Sequence, residues 1–193
     1  MRKKKINPPQ EIYRIKITLL GTDPPIWRLM LVPGHLTLEE FHRVIQTAVG
    51  WEDRHLYEFR IDNKRFGDPE PDDLMGVPGP ADASAVNLSS VLGGIGAKAL
   101  YVYDFGDNWE HDIFVEDVVS PEAGQAYPIC LDGDRHCPPE DCGGAAEFDI
   151  VRRAVVDRYH PQHRELRRWV GRDFDPQAFS AEEVNQRLAV LSS

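Results

Sequence analysis

Apolar and polar residues alternate near the start of the chain with the two-residue period of a half-buried β-strand. The apolar positions of this first run are Tyr13, Ile15, Ile17 and Leu19. Two further strands are predicted over residues 26–32 and 57–61, the first after an Asp-Pro-Pro turn and the second by renewed alternation. Three strands are therefore expected in the first third of the chain.

A helical period replaces this alternation between the second and third strands. Thr37 and Glu40 have the spacing of a capping box, and Gly50 marks the helix end. The apolar residues of this segment fall on one helical face. They are Leu38, Phe41, Val44, Ile45, Ala48 and Val49. The opening order is therefore strand, strand, helix, strand.

The second half predicts a β-hairpin followed by helices. Strands over residues 100–105 and 110–119 are joined by a Gly-Asp-Asn turn, and helices are expected over 147–159, 161–170 and 180–191. The fold class is therefore α+β: a mixed, mostly antiparallel sheet packed on helix one, plus C-terminal helices. The ββα-β opening is compatible with a β-grasp-like arrangement.

Chain length predicts one domain. A chain of 193 residues can bury roughly 70% of the surface that it exposes when unfolded. We expect a single domain over residues 11–193, preceded by a flexible basic arm over residues 1–10. Residues 67–84 are rich in Pro, Gly and Asp, and predict a long surface loop.

Charge and hydropathy limit the partners. No apolar run is long enough for a membrane helix and no secretion signal follows the N-terminal charges, so a cytoplasmic protein without membrane association is expected. The net charge of −10 disfavours general attraction to polyanions. A local arginine-rich segment could still contact an acidic or phosphate-bearing partner, although a solvated or internally paired face is the preferred interpretation. Its candidate residues are Arg152, Arg153, Arg158, Arg164, Arg167 and Arg168.

Three cysteines form a candidate zinc site. Cys130, Cys137 and Cys142 could act as thiolate ligands, with His136 or His111 as a fourth ligand. Their spacing differs from the paired CxxC of common zinc ribbons. The alternative is a proline-bent turn in which the cysteines pack as small apolar groups. Zinc is the one cofactor that the sequence suggests.

The predicted hairpin also carries acidic residues beside a histidine. They are Asp104, Asp107, Glu110, His111 and Asp112. Such a set could exchange protons or bind a hard cation, but strand alternation places Glu110 and Asp112 opposite His111. A turn with solvated acids is the alternative. His55, with Trp27, Trp51 and Tyr57, could line a pocket between helix one and the sheet, although aromatic residues at such positions are usually core.

Five strings occur in one order along the chain. They are DPPIWR (23–28), LTLEEFHRVIQTAVGWED (36–53), HLYEF (55–59), YDFGDNWEH (103–111) and CPPEDCGG (137–144). In these strings the chain closely resembles the plasmid pRiA4b ORF-3-like family, whose members also occur as insertion-element passengers under a TnpR-like label. The resemblance implies an α+β fold but no mechanism. A serine recombinase needs an activated serine near the start of its catalytic domain, and the first serine of this chain is Ser84.

The leading functional prediction is a non-enzymatic binding or accessory module that engages a protein or nucleic-acid partner, in association with plasmid or transposable elements. The alternative prediction is a metal-dependent hydrolase or nuclease that uses the cysteine loop and the acidic hairpin.

Overall fold

The computed structural model describes residues 11–69 and 78–191. The predicted basic arm, residues 1–10, lies outside the described residues, as does the middle of the predicted loop, residues 70–77.

The described part of the chain contains eight strands in one sheet. They are β1 (Ile12–Leu19), β2 (Ile26–Pro33), β3 (Tyr57–Ile61), β4 (Lys64–Gly67), β5 (Ala81–Asp82), β6 (Lys98–Tyr103), β7 (Trp109–Val119) and β8 (Ile129–Asp134). Their order across the sheet is β5-β4-β3-β6-β7-β1-β2-β8. The β4–β5 pair is parallel and the other pairs are antiparallel. The predicted mixed, mostly antiparallel sheet is confirmed.

The pairing of the strands places the residues that form the candidate site described below. Tyr103 of β6 pairs with Tyr57 of β3 on one side and with Trp109 of β7 on the other. One step further along, His111 pairs with Tyr101 and with Leu19. Antiparallel neighbours on one face approach closely, so aromatic rings form a row across the middle of the sheet.

Five helices accompany the sheet in the described ranges. They are α1 (Leu38–Val49), α2 (Leu88–Val91), α3 (Gly144–Val156), α4 (His163–Val170) and α5 (Ala181–Leu191). None of them is long and apolar enough to cross a membrane.

Helix α1 has the ends that its sequence predicts. The Thr37 hydroxyl accepts from the Glu40 N–H at 3.1 Å, and the Glu40 carboxylate accepts from the Thr37 N–H at 2.8 Å. Gly50 has a φ of 86° and donates its N–H to the Gln46 carbonyl. Such a cap is worth about 1 kcal/mol, so local sequence fixes where the helix begins and ends.

One face of the sheet carries the core. In β1, Ile15 and Ile17 are almost fully buried, whereas Arg14 before them is exposed and Lys16 between them is partly exposed. Helix α1 packs on the buried face, where Phe41 stacks on Phe59 of β3 with ring centroids 5.8 Å apart. The alternation in sequence therefore becomes a division between core and solvent.

Three strands differ from the sequence prediction. Strands β4 and β5 lie where a turn and a loop are expected, and β8 lies in the segment interpreted as the cysteine loop. The two residues of β5 are exposed, as are Lys64 and Arg65 of β4, and the β2–β8 register shifts between Leu29 and Met30, so none of the three strands shows a clean apolar period. Pairing with β3, β4 and β2 stabilises these strands, which is a tertiary effect that local propensity does not contain.

Candidate functional site

Three distant segments meet at the turn of the β6–β7 hairpin. The Trp51 indole N–H donates to the Pro138 carbonyl at 2.8 Å, which joins the end of α1 to the loop before α3. The Tyr103 hydroxyl donates to Glu140 Oε1 at 2.6 Å, which joins β6 to the same loop. Three of the five strings that carry the family resemblance, residues 36–53, 103–111 and 137–144, thus meet at one place.

An acidic cluster occupies this junction. We define it as His55, Asp104, Asp107, Glu140 and Asp141. His55 Nε2 lies 3.0 Å from Asp141 Oδ1 and 3.7 Å from Asp104 Oδ2. One potential ligand atom from each of these three residues lies within 4.8 Å of the others. We call His55, Asp104 and Asp141 the three-ligand group.

Backbone geometry fixes the Asp104 carboxylate. Asp104 has a φ of 54°, which is uncommon for a residue other than glycine, and its N–H donates to the Leu56 carbonyl at 3.0 Å. Its Oδ1 accepts from the N–H groups of Gly106 and Asp107 at 2.9 and 3.3 Å. These bonds occupy Oδ1 and leave Oδ2 directed to His55.

The loop before α3 fixes Asp141 in a similar way. Asp141 has a φ of 58°, and the Gly143 N–H donates to Asp107 Oδ2 at 2.9 Å. Gly144 has a φ of 82°, and a Cβ added there would lie 2.8 Å from the Asp107 carbonyl oxygen. Gly144 therefore permits the close approach of loop and hairpin that brings Asp141 to His55.

Glu140 is held beside the three-ligand group. Its Oε1 accepts from the Tyr103 hydroxyl and, at 3.2 Å, from the Glu52 N–H. Burial, and then the adjacent Glu140, raise the pKa of Tyr103, so this phenol stays protonated and continues to donate. The Arg54 Nε lies 3.6 Å from Glu140 Oε2.

Negative charge dominates this end of the molecule. Arg54 is a nearby cation, and it pairs with Glu52 as well as with Glu140. The carboxylates around it are Glu52, Asp53, Asp104, Asp107, Glu140 and Asp141. Such an excess of carboxylates attracts cations and repels anions.

A mostly buried hydrogen-bond network joins α1 to β6 and to Asp53. His42 Nδ1 lies 2.7 Å from the Tyr101 hydroxyl, and His42 Nε2 lies 2.7 Å from Asp53 Oδ1. Gln46 also donates to the Tyr101 hydroxyl at 2.9 Å, and the His42 ring stacks on Tyr57. Burial lowers the pKa of His42 although Asp53 opposes this effect.

The structure does not bring the predicted zinc ligands together. In the described residues, the three-ligand group is the one set of three or more His, Cys, Asp or Glu residues with suitable spacing. Cys137 contacts Arg28, and Cys130 Sγ lies 3.5 Å from the Asp132 carbonyl. His136 Nδ1 lies 2.7 Å from the Cys137 carbonyl. Zinc bound by the cysteines stays a prediction that the geometry does not favour.

Burial governs the chemistry of the three cysteines. All are free and buried, and desolvation raises the pKa of Cys130 to about 11 and that of Cys142 to about 12. The pKa of Cys137 is also raised by burial, against the opposing effect of Arg28. Neutral thiols packed in the core match the alternative interpretation of this segment.

His111 lies in the core behind the cluster. It is 1% exposed and contacts the rings of Trp51 and Tyr101. Neither ring nitrogen has a hydrogen-bond partner of good geometry in the described residues. Burial lowers the pKa of His111 to about 4. His111 is therefore a neutral core residue in this structure.

Arg28 joins the loop to the sheet although it is only 4% exposed. Its guanidinium donates to four carbonyl groups and to Cys137 Sγ, and Phe179 lies against it at 4.5 Å. The carbonyl acceptors are those of Ala48, Trp27, Asp134 and Arg135. This buried cation positions the chain leading to Asp141.

The six candidate arginines of the predicted arginine-rich segment do not share one environment. Arg152 and Arg153 both pair with Asp149 on α3. Arg158 contacts the Tyr159 ring, and Arg167 donates to the Phe174 carbonyl at 2.5 Å. Arg164 and Arg168 are exposed on α4. A partner for this segment stays a prediction.

Sequence reasoning missed three members of the acidic cluster. It selected the hairpin acids Asp104 and Asp107 and the correct loop, but it chose the thiols of that loop over Glu140 and Asp141. His55 was interpreted as core because aromatic residues flank it. Its position two residues before the predicted strand over residues 57–61, at the start of a strand rather than within it, was the available signal.

Comparisons with other proteins give a consistent assignment. The model of a family described as "Plasmid pRiA4b ORF-3-like protein" matches residues 11–183. The uncharacterized protein y4hQ of Sinorhizobium fredii is 39% identical over 184 residues, covering 94% of this chain and 93% of that protein. The crystal structure of a protein of unknown function, MM3350 from Methanosarcina mazei Go1, is similar with a TM-score of 0.81 and 31% identity. That match covers 91% of this chain and 98% of the other.

Proposed function

This chain belongs to the plasmid pRiA4b ORF-3-like family, and we propose that it is a divalent-metal-dependent hydrolase. The supporting observation is the three-ligand group, in which His55, Asp104 and Asp141 present potential ligand atoms within 4.8 Å of one another. Association with plasmid or transposable elements and a cytoplasmic location stay predictions.

The donor set suits a metal of intermediate hardness. One imidazole nitrogen and two carboxylates match Mn²⁺, Fe²⁺ or Zn²⁺ better than Ca²⁺, which prefers six to eight oxygens. Three protein ligands leave positions for water and substrate. The side chains of His55 and Asp141 are 31% and 59% exposed, so those positions are open to solvent.

The surrounding residues supply the other parts of a hydrolytic site. A bound cation would lower the pKa of a coordinated water towards neutrality. We assign Glu140, which follows Pro139 and precedes Asp141, as the proton acceptor. Tyr103 holds this carboxylate in place by its hydrogen bond. The hydrogen bonds to Asp104 Oδ1 keep that ligand fixed without occupying Oδ2.

A binding role without turnover is the second candidate function. Leu56 and Phe105 directly follow His55 and Asp104 in the chain and are 46% and 49% exposed. Large apolar side chains exposed beside a polar site are typical of contact surfaces. In this second candidate function, the bound cation would stabilise a surface that contacts a partner protein.

Metal binding is tested first, by titrating the metal-free protein with Mn²⁺ and with Zn²⁺ in a calorimeter. We expect one site per chain, with affinity reduced at least roughly tenfold in Asp104→Asn and His55→Gln. Asp112→Asn is the matched control. Asp112 lies on the same hairpin as Asp104, but its side chain is on the face of β7 opposite to that of His111. Equal binding by Asp104→Asn and the parent protein would refute the centre.

Hydrolysis is tested second, with chromogenic phosphodiester, phosphomonoester and carboxylic ester substrates. We expect metal-dependent turnover of one class, and loss of turnover but retained metal binding in Glu140→Gln. Stoichiometric metal binding with no turnover of any class would favour the binding role.

A further inference from the structure

A cavity of about 440 Å³ lies between α3 and the turn that joins β1 to β2. Its apolar wall includes Ile26, Phe148 and Val156, and its polar wall includes Arg135, Arg152 and Arg153. Cavities of about this size accommodate a single ring or a short chain. Helix α3 rises about 1.5 Å per residue, which places Arg152 roughly 12 Å along the helix from Gly144 at the acidic cluster.

Arg135 is held in an unusual conformation at this cavity. Its φ is 67°, and its carbonyl accepts from Arg28 Nη2 at 2.9 Å. Its Nε is buried without a hydrogen-bond partner in the described residues, and the nearest carboxylate oxygen, Asp134 Oδ2, lies 3.4 Å away in a contact of poor hydrogen-bond geometry. The Arg135 side chain is 28% exposed and lines the cavity, so its outer N–H groups can donate to an incoming anion.

Arg152 and Arg153 add further positive charge. Both guanidinium groups pair with the single carboxylate of Asp149, so one carboxylate serves two cations. Asp157 also lines the cavity, but its Oδ1 already accepts from the Tyr159 N–H at 2.9 Å. The N–H donors of Arg152 and Arg153 therefore outnumber the carboxylate oxygens that can accept from them.

His160 contributes one more donor. Its Nδ1 accepts from the Gln162 N–H at 3.2 Å, so the hydrogen of the neutral ring lies on Nε2. Two arginines that the sequence singled out for an acidic or phosphate-bearing partner thus line a concave site of mixed character.

From these contacts we propose that the cavity binds a small organic anion, with an apolar body against Ile26, Phe148 and Val156 and a carboxylate or phosphate against Arg135, Arg152 and Arg153. Guanidinium groups recognise both head groups through paired N–H donors. The site is separate from the three-ligand group, which is anionic and would repel the same ligand.

The test uses phenylacetate and phenyl phosphate as anionic probes and 2-phenylethanol as the neutral probe, with binding followed by NMR shift titration of the full chain. We expect saturable binding of at least one anion, roughly tenfold or more tighter than the alcohol. The two anions distinguish a carboxylate from a phosphate preference.

Substitutions of arginine residues test whether the anion binds in this cavity. Arg135→Gln and Arg152→Gln should each weaken the anion roughly tenfold, whereas Arg168→Gln, at an exposed arginine of α4, should not. Asp104→Asn should leave anion binding unchanged although it impairs the metal centre. Absence of saturable anion binding, equal binding of the alcohol, or an equal loss in Arg168→Gln would overturn the proposal.

Discussion

Arg28 and Cys137 are separated by 109 residues in sequence, yet the guanidinium Nη2 lies 3.3 Å from the thiol sulfur. The cysteine loop is thereby tied to the second strand of the sheet. The same guanidinium, on a residue only 4% exposed, donates to four backbone carbonyls. Arg28 lies outside the acidic cluster, but it holds in place the loop that carries Glu140 and Asp141.

Replacing Arg28 with Met should be strongly destabilising. The substitution leaves buried carbonyl groups without donors, and the expected loss in the free energy of unfolding is about 3 kcal/mol or more. Arg14→Met is the control, because the Arg14 side chain is 44% exposed and pairs only with Glu116 at the surface. That change should cost less than about 1 kcal/mol in urea denaturation. Equal losses would contradict the assigned role of Arg28.

His111 should make the protein less stable in mild acid. Its folded pKa of about 4 lies below the usual 6.5, so the unfolded chain binds the proton more readily. The contribution of neutral His111 is therefore complete above pH 6.5 and is lost as pH falls towards 4. The total change is roughly 3 kcal/mol.

Two measurements check this pH dependence. An NMR titration of the His111 imidazole should give a pKa well below that of an exposed histidine. In His111→Leu, the free energy of unfolding should fall less steeply between pH 6.5 and 4 than in the parent protein. His42 titrates in the same direction in both proteins, so the difference between them isolates His111. Parallel pH profiles would show that His111 is not the cause.

The three cysteines should react slowly in the folded protein. Burial keeps the thiols neutral at pH 7, and the thiolate is the reactive form. Labelling with a chromogenic disulfide reagent should be slow in buffer and complete, at three thiols, in guanidinium chloride. A chelator should not accelerate native labelling. Acceleration by the chelator would instead support zinc bound by these cysteines.

Gly144→Ala should separate the loop from the hairpin. The added Cβ would lie 2.8 Å from the Asp107 carbonyl oxygen, at a φ of 82° that alanine rarely adopts. We expect a loss of about 2 kcal/mol in stability and weaker Mn²⁺ binding, because Asp141 moves with the loop. Gly93→Ala is the control, since an added Cβ there meets no atom within 4 Å. Unchanged Mn²⁺ affinity in a folded Gly144→Ala protein would count against the three-ligand group.

Local patterns were sufficient for the elements with a clear period. The alternation of β1 and the capping box of α1 are both present, as is the hairpin of β6 and β7. The prediction that Glu110 and Asp112 lie opposite His111 is consistent with burial, since His111 is buried and both acids are partly exposed. Strands β4, β5 and β8 were not predicted because their partners in the sheet, rather than their own residues, define them.

Local sequence patterns predict the fold class, the ends of the main helix, and two of the segments that carry the candidate chemistry. These depend on periodicity and caps, which are properties of neighbouring residues. Long-range packing sets which side chains meet: His55, Asp104 and Asp141 lie in three separate segments, joined by strand pairing and by the Arg28 and Gly144 contacts. The same long-range packing buried the cysteines and exposed the neighbouring carboxylates, because side-chain environment is set by what packs against a loop and not by the loop itself.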